Sequence, residues 1–293
     1  MNDGIKFMKI LVTGANGFVG RVLVRRLIEK GAIVFALDRV NAGGVPAVKF
    51  YEQDIGVPFE LSEEFDFVFH LAAHNVTHVG DRGAELYETI NVRGTENVLK
   101  SAPCRNFIFL STAKVYKNEG RPVTEDSSLL PANEYEKSKL AAESVCAKIF
   151  KGENLCMFRS VNIVGSGQPE KAVIPVLFKK AMSGEPLEIF GARESFLQFV
   201  FVEDAVEAFL KVCERDGVCG VFNLASRDNI RLDELARDIK RLCRARSEIH
   251  FTNTAVVPFC EVLADKAKSE LGWQAKTGIA EILKIYFEAC CRV

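Results

Sequence analysis

The stretch KILVTGANGFVG, residues 9–20, sets three glycines directly after a β-rich run and directly before a helical pattern. Gly14, Gly17 and Gly20 follow the spacing G-x-x-G-x-x-G. That spacing allows a tight turn, a backbone close enough to touch a pyrophosphate, and a helix packed closely on its strand. The exposed N–H groups at the positive end of the helix then receive the phosphates. The stretch therefore predicts a dinucleotide-binding turn.

Outward from this turn, β-rich runs alternate with helical stretches through the first half of the chain. The run FDFVFHLAA, residues 65–73, is continuously apolar, as expected for a strand covered on both faces. Four further strands are predicted at AIVFALD, AVKFYEQD, NFIFLST and LCMFRSV, and helices at residues 18–30 and at about residues 83–101 and 135–150. This alternation predicts an α/β fold, a doubly wound parallel sheet with helices on both faces.

The rhythm changes after about residue 160, where Gly165, Gly167 and Pro169 mark a loop. Short β-rich runs, LEIF, FVFV and VFNLAS, are there mixed with helical stretches. We predict a nucleotide-binding domain in residues 1–160 and a smaller, mainly substrate-binding α/β lobe in residues 161–293. Segments of the chain are expected to cross between the two.

Composition narrows the classes of partner. The 293 residues carry a net charge of −1, so no basic field favours nucleic acid or an anionic membrane. No apolar run approaches the ~20 residues of a membrane span, and the first residues lack the apolar core of a signal peptide, so we expect a cytoplasmic protein. The nine cysteines form no C-x-x-C pair. They favour buried reduced thiols, and no metal site is predicted.

Asp38 closes the second predicted strand, at the distance expected for a carboxylate that binds the adenosine ribose. Its charge would repel a 2′-phosphate, so NAD is favoured over NADP. Alternatively, Asp38 is an ordinary turn residue at the end of a strand. Arg39 could favour NADP as the alternative cofactor, stack on adenine, or simply be exposed to solvent. Asp54 follows the third strand, where it could meet the adenine edge. Residues 70–73, HLAA, end the fourth strand where a cofactor could lie flat, and His70 itself suits a packed, hydrogen-bonded position better than catalysis.

The stretch EYEKSKL, residues 134–140, sets Tyr135 and Lys139 four residues apart, on one face of a helix. A free phenol has a pKa of about 10, and a base at neutral pH needs roughly 3 units less. The ammonium of Lys139 and the positive ring of an oxidised nicotinamide could supply this. Tyr135 would then take a proton from a sugar or alcohol hydroxyl, held by Thr112 at the end of NFIFLST, while hydride leaves for NAD. A Tyr/Lys pair at this spacing also occurs on ordinary helix surfaces.

The order of these motifs resembles the extended short-chain dehydrogenase/reductases, the NAD-dependent epimerases and dehydratases, over almost the whole chain. The shared segments are TGANGFVG, LDR, QDI, FHLAA, NVRGTENVL, LSTAKVY, YEKSK, FRSVNIVGSGQ, FVFVEDAVEAF, VFNLAS and DKAKSELGW. The resemblance implies a Rossmann domain with a C-terminal substrate lobe, bound NAD, and a Ser/Thr–Tyr–Lys set that falls on Thr112, Tyr135 and Lys139.

The resemblance also implies further contacts. Besides the glycine turn and Arg39, the cofactor positions fall on Phe18, Val19, Asp38, Asp54, Ile55, Leu71, Ala72, Ala73, Asn91, Tyr135, Lys139 and Val161. Asn162 matches a position that often contacts the phosphate of a nucleotide sugar. The helices near residues 83–101 and 135–150 are long enough to pair with their copies in a homodimer, as in related proteins, or they only cover the sheet.

Departures from the family pattern narrow the activity. The 4,6-dehydratases carry Asp-Glu after the catalytic Thr, and the decarboxylating relatives carry a Glu at the second position, whereas this chain has Ala113 and Lys114. Elimination and decarboxylation are therefore disfavoured. Leu197 stands where many nucleotide-sugar members place an arginine on the diphosphate. Either Arg193 compensates, or the substrate lacks a nucleotide.

These residues support three functional hypotheses. The first is an NAD-dependent epimerase of a nucleotide sugar, which oxidises C4 to a transient ketone and returns the hydride to the other face. The second is an NAD(P)-dependent reductase or dehydrogenase of a nucleotide sugar or smaller carbonyl compound. The third is a non-catalytic dinucleotide sensor, which the presence of both Tyr135 and Lys139 disfavours.

Overall fold

Strands and helices alternate through the first half of the chain. The computed structural model describes residues 4–75, 83–150, 153–215, 217–252 and 259–291. The strands of this half are β1 (Lys9–Thr13), β2 (Ile33–Asp38), β3 (Lys49–Glu52), β4 (Phe65–His70), β5 (Cys104–Thr112) and β6 (Leu155–Ser160). The helices are α1 (Phe18–Glu29), α2 (Gly83–Leu86), α3 (Gly94–Ser101) and α4 (Glu134–Phe150), with a π-helical segment, Tyr87–Arg93, between α2 and α3.

Shorter elements make up the second half. Its strands are β7 (Asn162–Val164), β8 (Leu187–Ile189), β9 (Phe196–Phe201), β10 (Gly220–Leu224), β11 (Asn229–Arg231) and β12 (Ile249–Phe251). Its helices are α5 (Val173–Ser183), α6 (Val202–Cys213), α7 (Leu232–Leu242) and α8 (Ile279–Cys290), with a short π-helical turn at Ala267–Leu271. No helix in the described ranges is both long and apolar enough to cross a membrane.

Seven parallel strands form the main sheet, in the order β10-β6-β5-β4-β1-β2-β3. The predicted α/β, doubly wound fold is confirmed. The second half supplies the edge strand β10, which pairs with β6, and helix α6, which packs against α1. The other strands of this half form two small sheets, β11-β9-β7 and β12-β8.

Alternating side chains of the central strands explain why both faces of the sheet are covered. On β1, Ile10 and Val12 belong to the apolar cluster that also includes α1 and α6, whereas Leu11 packs with α3 and α4. All three side chains are fully buried. A run without polar alternation thus fits a strand buried on both sides, and it places the carboxyl ends of β1, β4 and β5 at one edge.

A separate apolar cluster holds the predicted substrate lobe together. It gathers side chains of α5, α7 and α8 around β9, and the ring of Phe178 stacks on Tyr286 with centroids 5.1 Å apart. Strand β7 pairs with β9 in parallel, so Asn162 lies opposite Phe199. Strand β7 follows β6 almost directly in the chain, whereas the main sheet takes one more strand, β10, from the second half.

Candidate active site

The glycine turn has the geometry that its spacing predicts. Gly14 has φ +68°, and a Cβ there would lie 2.8 Å from the backbone nitrogen of Ala72. The N–H of Gly17 donates to the carbonyl of Gly14 at 2.9 Å. A Cβ on Gly20 would lie only 2.1 Å from that same carbonyl oxygen. Gly14 and Gly20 are therefore required by the backbone around them, and Gly17 is exposed at the N-terminus of α1.

Asp38 lies beside this turn and fastens it. Its carboxylate accepts the backbone N–H of Asn16 at 2.8 Å and that of Arg39 at 2.7 Å. The exposed side chain of Arg39 is close enough to His74 for its charge to lower the pKa of that imidazole, together with burial. Asp54 is half-buried after β3, and its carboxylate accepts the N–H of Gly56 at 2.8 Å.

Two buried polar atoms near the turn have no hydrogen-bond partner among the described residues. They are Oδ1 of Asn16 and Nε2 of His74. Buried polar atoms are normally paired, so these two are suited to receive a ligand. Together with the open glycine cradle, they fit a bound dinucleotide.

His70 ends β4 inside a closed network. Its Nδ1 lies 2.7 Å from the hydroxyl of Thr13, and its Nε2 lies 3.0 Å from the hydroxyl of Thr95. The Thr95 hydroxyl donates to the carbonyl of Asn91, so it accepts a hydrogen bond from the Nε2–H of His70. Burial, and secondarily the charge of Lys139, lower the His70 pKa to about 3, so the ring is neutral at neutral pH. The packed, hydrogen-bonded interpretation thus agrees with the structure.

The loop after β4 is tied to the helices around it. The N–H of Leu71 donates to the carbonyl of Thr13, and that of Ala72 to the Thr13 hydroxyl, both at 3.3 Å. Asn91 is buried, accepts the N–H of His74 at 2.7 Å, and donates to the His74 carbonyl and the Ser138 hydroxyl. These contacts make Asn91 a brace between the loop and α4.

The remaining predicted cofactor positions line the same edge of the sheet. Phe18 and Val19 are half-buried at the start of α1, and Phe18 approaches Gly165 from the second half of the chain. Ile55 is buried against Gly94, where a Cβ would lie 2.9 Å from the Ile55 side chain. Ala73 and Val161 are half-buried, and the N–H of Val161 donates to the Leu224 carbonyl at 3.0 Å.

Helix α4 presents Tyr135 and Lys139 to strand β5. The phenol of Tyr135 interacts with the hydroxyl of Thr112, the last residue of β5. The ammonium of Lys139 lies over the ring of Phe109, 4.1 Å from its centroid, on the same strand. Thr112 also accepts the N–H of Lys114 at 3.3 Å. The structure thus places Tyr135 against Thr112 at the carboxyl end of β5, and Lys139, on the same helix, against Phe109 of the same strand.

Burial moves the pKa values of the two α4 side chains in opposite directions. Burial raises the pKa of Tyr135 to about 12, and the Thr112 hydroxyl opposes part of the rise. Burial lowers the pKa of Lys139 to about 8, and Cys146 and Glu143 oppose part of the fall. Desolvation of the phenol therefore dominates in this structure, and the lowering of the Tyr135 pKa by Lys139 and an oxidised nicotinamide stays a prediction.

A buried polar cluster below Thr112 was not predicted from the sequence. Ser111 donates to the carboxylate of Glu143, and Arg159 binds that carboxylate at 2.7 and 3.1 Å. The guanidinium of Arg159 also lies over the ring of Tyr116, whose hydroxyl donates to Asn223 at 2.7 Å. The sequence signal was Arg159 inside the otherwise apolar run LCMFRSV.

Besides Thr112, the predicted substrate contacts lie in the second half of the chain. Asn162 is exposed at the start of β7, and Arg193 is exposed before β9 with its guanidinium 5.2 Å from the centroid of Phe251. Leu197 is half-buried on β9, opposite Ile230 of β11. In the described part of the chain, no group of three His, Cys, Asp or Glu side chains is arranged to hold a metal ion.

Comparisons with known proteins agree with this arrangement. The sequence model of the "NAD dependent epimerase/dehydratase family" matches residues 10–225. A UDP-N-acetyl-alpha-D-glucosaminuronate decarboxylase of Bacillus cytotoxicus is 30% identical over 264 residues, 82% of each chain. The crystal structure of UDP-glucose 4-epimerase from Thermotoga maritima, with UDP-glucose, superposes with a TM-score of 0.84 at 26% identity, over 97% of this chain and 99% of that one.

A longer relative matches only in part. It is the trifunctional UDP-glucose 4,6-dehydratase/UDP-4-keto-6-deoxy-D-glucose 3,5-epimerase/UDP-4-keto-L-rhamnose-reductase of Arabidopsis thaliana, which is 29% identical over 94% of this chain and 46% of its own length. The chain therefore spans about half the length of that enzyme.

Proposed function

The chain belongs to the NAD-dependent epimerase/dehydratase family, and from this membership we propose that it is a 4-epimerase of a nucleotide sugar. The predictions of an enzyme of the extended short-chain dehydrogenase/reductase type and of NAD as its cofactor are confirmed. The observation that carries the finer proposal is the placement of Thr112 against Tyr135, with Lys139 one turn further along α4.

The cofactor is assigned to the edge where β1, β2 and β4 end. The glycine turn would hold the pyrophosphate, Asp38 the adenosine ribose, and the half-buried loop at residues 71–73 one face of the cofactor. When bound, NAD accepts a hydride from the sugar and returns it. Asp38 already accepts two backbone N–H groups, and a carboxylate has lone pairs left for ribose hydroxyls.

The protein's own groups handle the oxygen and its proton. The Thr112 hydroxyl holds the reacting oxygen, and Tyr135 takes its proton and later returns it. Because burial raises the pKa of Tyr135 to about 12, the phenolate forms at neutral pH only with nearby positive charge. Lys139, buried on the same helix, is the protein's contribution to that charge.

Epimerisation is favoured over the other reactions of the family by the two residues after Thr112. Water elimination needs an acid and a base there, and this chain offers the methyl group of Ala113 and the exposed cation of Lys114. Redox at one carbon, with return of the hydride to the opposite face, needs only Thr112, Tyr135 and Lys139. A nucleotide sugar is the substrate class that the named relatives share.

Incubation of the purified protein with UDP-hexoses, followed by NMR of the sugar, tests the proposal. We expect the C4 epimer to accumulate to a constant ratio without net consumption of added NAD. Failure to convert any UDP- or dTDP-linked hexose would remove the epimerase proposal.

A one-way reductase is the second candidate, and Leu197 favours it. The apolar side chain at that position of β9 has no donor for a diphosphate. A smaller keto substrate, without a diphosphate, fits this residue. Stoichiometric loss of NADH with a 4-keto sugar or a simple ketone, without epimer formation, would identify this activity.

We further propose a homodimer built on α4 and the helical segments at residues 83–101. Leu86 and Ile149 on these helices are exposed by about two-fifths, 40% and 42%. Light scattering of the eluted protein distinguishes a dimer from a monomer. The cytoplasmic location stays a prediction.

A further inference from the structure

We infer that Glu143 is a positioning residue of the proposed active site, whose buried carboxylate, one turn further along α4, supports the positive charge of Lys139. The inference rests on the proposed function for the role given to Lys139. The placement of Glu143 does not depend on that function. Glu143 follows Lys139 by four residues on α4, so the two side chains lie on one face of the helix.

The Glu143 carboxylate is fixed from two neighbouring strands. Ser111 of β5 donates to it, and Arg159 of β6 binds both of its oxygens, at 2.7 Å in the closer contact. The side chains of Glu143 and Arg159 are only 4% and 6% exposed. Arg159 is held in turn by the ring of Tyr116. Glu143 is therefore paired with Arg159 and also hydrogen-bonded to Ser111, the residue that precedes Thr112.

The groups acting on Lys139 come from three elements. The ring of Phe109 on β5 carries no net charge, and His70 on β4 is neutral because its pKa is about 3. On α4, Cys146 is a neutral thiol at neutral pH, because burial raises its pKa to about 12. Within the described residues, Glu143 is thus the anionic group that acts on this ammonium.

Arg159, on β6, bears on Lys139 through Glu143. Its positive charge partly cancels the negative charge of the Glu143 carboxylate. The carboxylate, however, belongs to α4, the helix that also carries Lys139. A buried ion pair that loses one partner keeps an uncompensated charge, which is strongly destabilising. Loss of Glu143 would therefore leave two buried cations, Lys139 and Arg159, and each would disfavour the charge of the other.

The consequence is a definite change in the titration of Lys139. Its pKa is already lowered to about 8 by burial, and Glu143 opposes that shift. Without the carboxylate, the lysine would lose its proton near neutral pH. A neutral Lys139 gives no electrostatic support to a phenolate at Tyr135, and it no longer donates as an ammonium.

Titration of Lys139 by NMR tests this directly, with ¹³C at the lysine Cε and assignment through Lys139→Arg. In Glu143→Gln we expect the Lys139 midpoint to fall by about one pH unit or more from that of the unmodified protein. The matched control is Glu134→Gln, which removes an exposed carboxylate from the first turn of the same helix and should leave the midpoint unchanged. Identical midpoints in Glu143→Gln and the unmodified protein would overturn the inference.

A second variant covers the case in which Glu143→Gln does not fold. The double change Glu143→Gln with Arg159→Gln removes both buried charges, so no unpaired charge remains, and a smaller fall in the same direction is expected. An unchanged midpoint in the double variant also overturns the inference. A shifted midpoint in a protein that converts no nucleotide sugar would leave Glu143 in its role and reject only the proposed function.

Discussion

The glycine turn and the predicted substrate lobe are held in shape by different kinds of contact. At the turn, backbone meets backbone: the site of a Cβ on Gly20 lies 2.1 Å from the Gly14 carbonyl oxygen. In the lobe, side chains bridge distant segments: the amide of Gln198 donates to the carbonyls of Ser226 at 2.7 Å and Val262 at 3.0 Å. The first geometry follows from local spacing of residues, whereas the second follows from partners far apart in the sequence.

Tyr135→Phe gives the largest expected effect, because it should stop the reaction without changing the glycine turn. It removes the proton acceptor and leaves the glycine turn and Asp38 untouched, so turnover should fall by about a thousandfold while NAD binding is kept. Turnover by NMR and cofactor binding by calorimetry are the measurements. Tyr286→Phe, a partly buried ring packed against the apolar cluster of the lobe, is the control and should keep activity. Unchanged turnover in Tyr135→Phe would refute the assignment of the base.

Gly20→Ala tests the backbone side of the comparison. The new Cβ cannot fit beside the Gly14 carbonyl, so we expect a loss of stability of about 3 kcal/mol or more, and weak binding of NAD. Gly44→Ala is the matched control, because open space surrounds its Cβ position. Equal melting temperatures of the two variants would show that the turn tolerates a side chain.

The same difference decides which features could be predicted from the sequence: those that depend on local spacing could, and those that depend on distant partners could not. The glycine turn, Asp38 at the end of β2 and the Tyr135/Lys139 face could be predicted, since each depends on spacing within one or two elements. Ser111, Glu143 and Arg159 could not, because their contact depends on the register of β5 and β6 and on how α4 packs across them. The π-helical turn at residues 87–93 likewise has no simple sequence period.

The pH dependence of stability gives a third test, on the nucleotide side. His70 has a pKa of about 3 in the fold and about 6.5 when unfolded, so the unfolded chain binds more protons between these values. Stability contributed by the neutral ring is present above pH 6.5 and is lost as the pH falls, by about 2 kcal/mol at pH 5.

Denaturant unfolding at neutral pH and at pH 5 measures this loss. The variant His70→Asn lacks the titrating ring and should be less stable at neutral pH but show a weaker acid dependence. His250→Asn is the control, because His250 lies on an exposed strand of the lobe beside Glu248, and it should keep the acid dependence. An acid dependence as steep in His70→Asn as in the unmodified protein would exclude His70 as its source.

Arg193→Ala gives the smallest expected effect and sharpens the lobe side of the comparison. If Arg193 takes the diphosphate contact that Leu197 cannot make, the KM for a nucleotide sugar should rise by about tenfold, or about 1.4 kcal/mol, with kcat nearly unchanged. The ring contact with Phe251 contributes little to stability at such an exposed site, so the melting temperature should hardly move. Arg241→Ala, on the exposed face of α7, removes an equal charge from the same lobe and should leave KM as it was. An unchanged KM in Arg193→Ala would show that Arg193 does not bind the diphosphate. It would favour the smaller keto substrate, since Arg193 would then not replace the arginine that is absent at position 197.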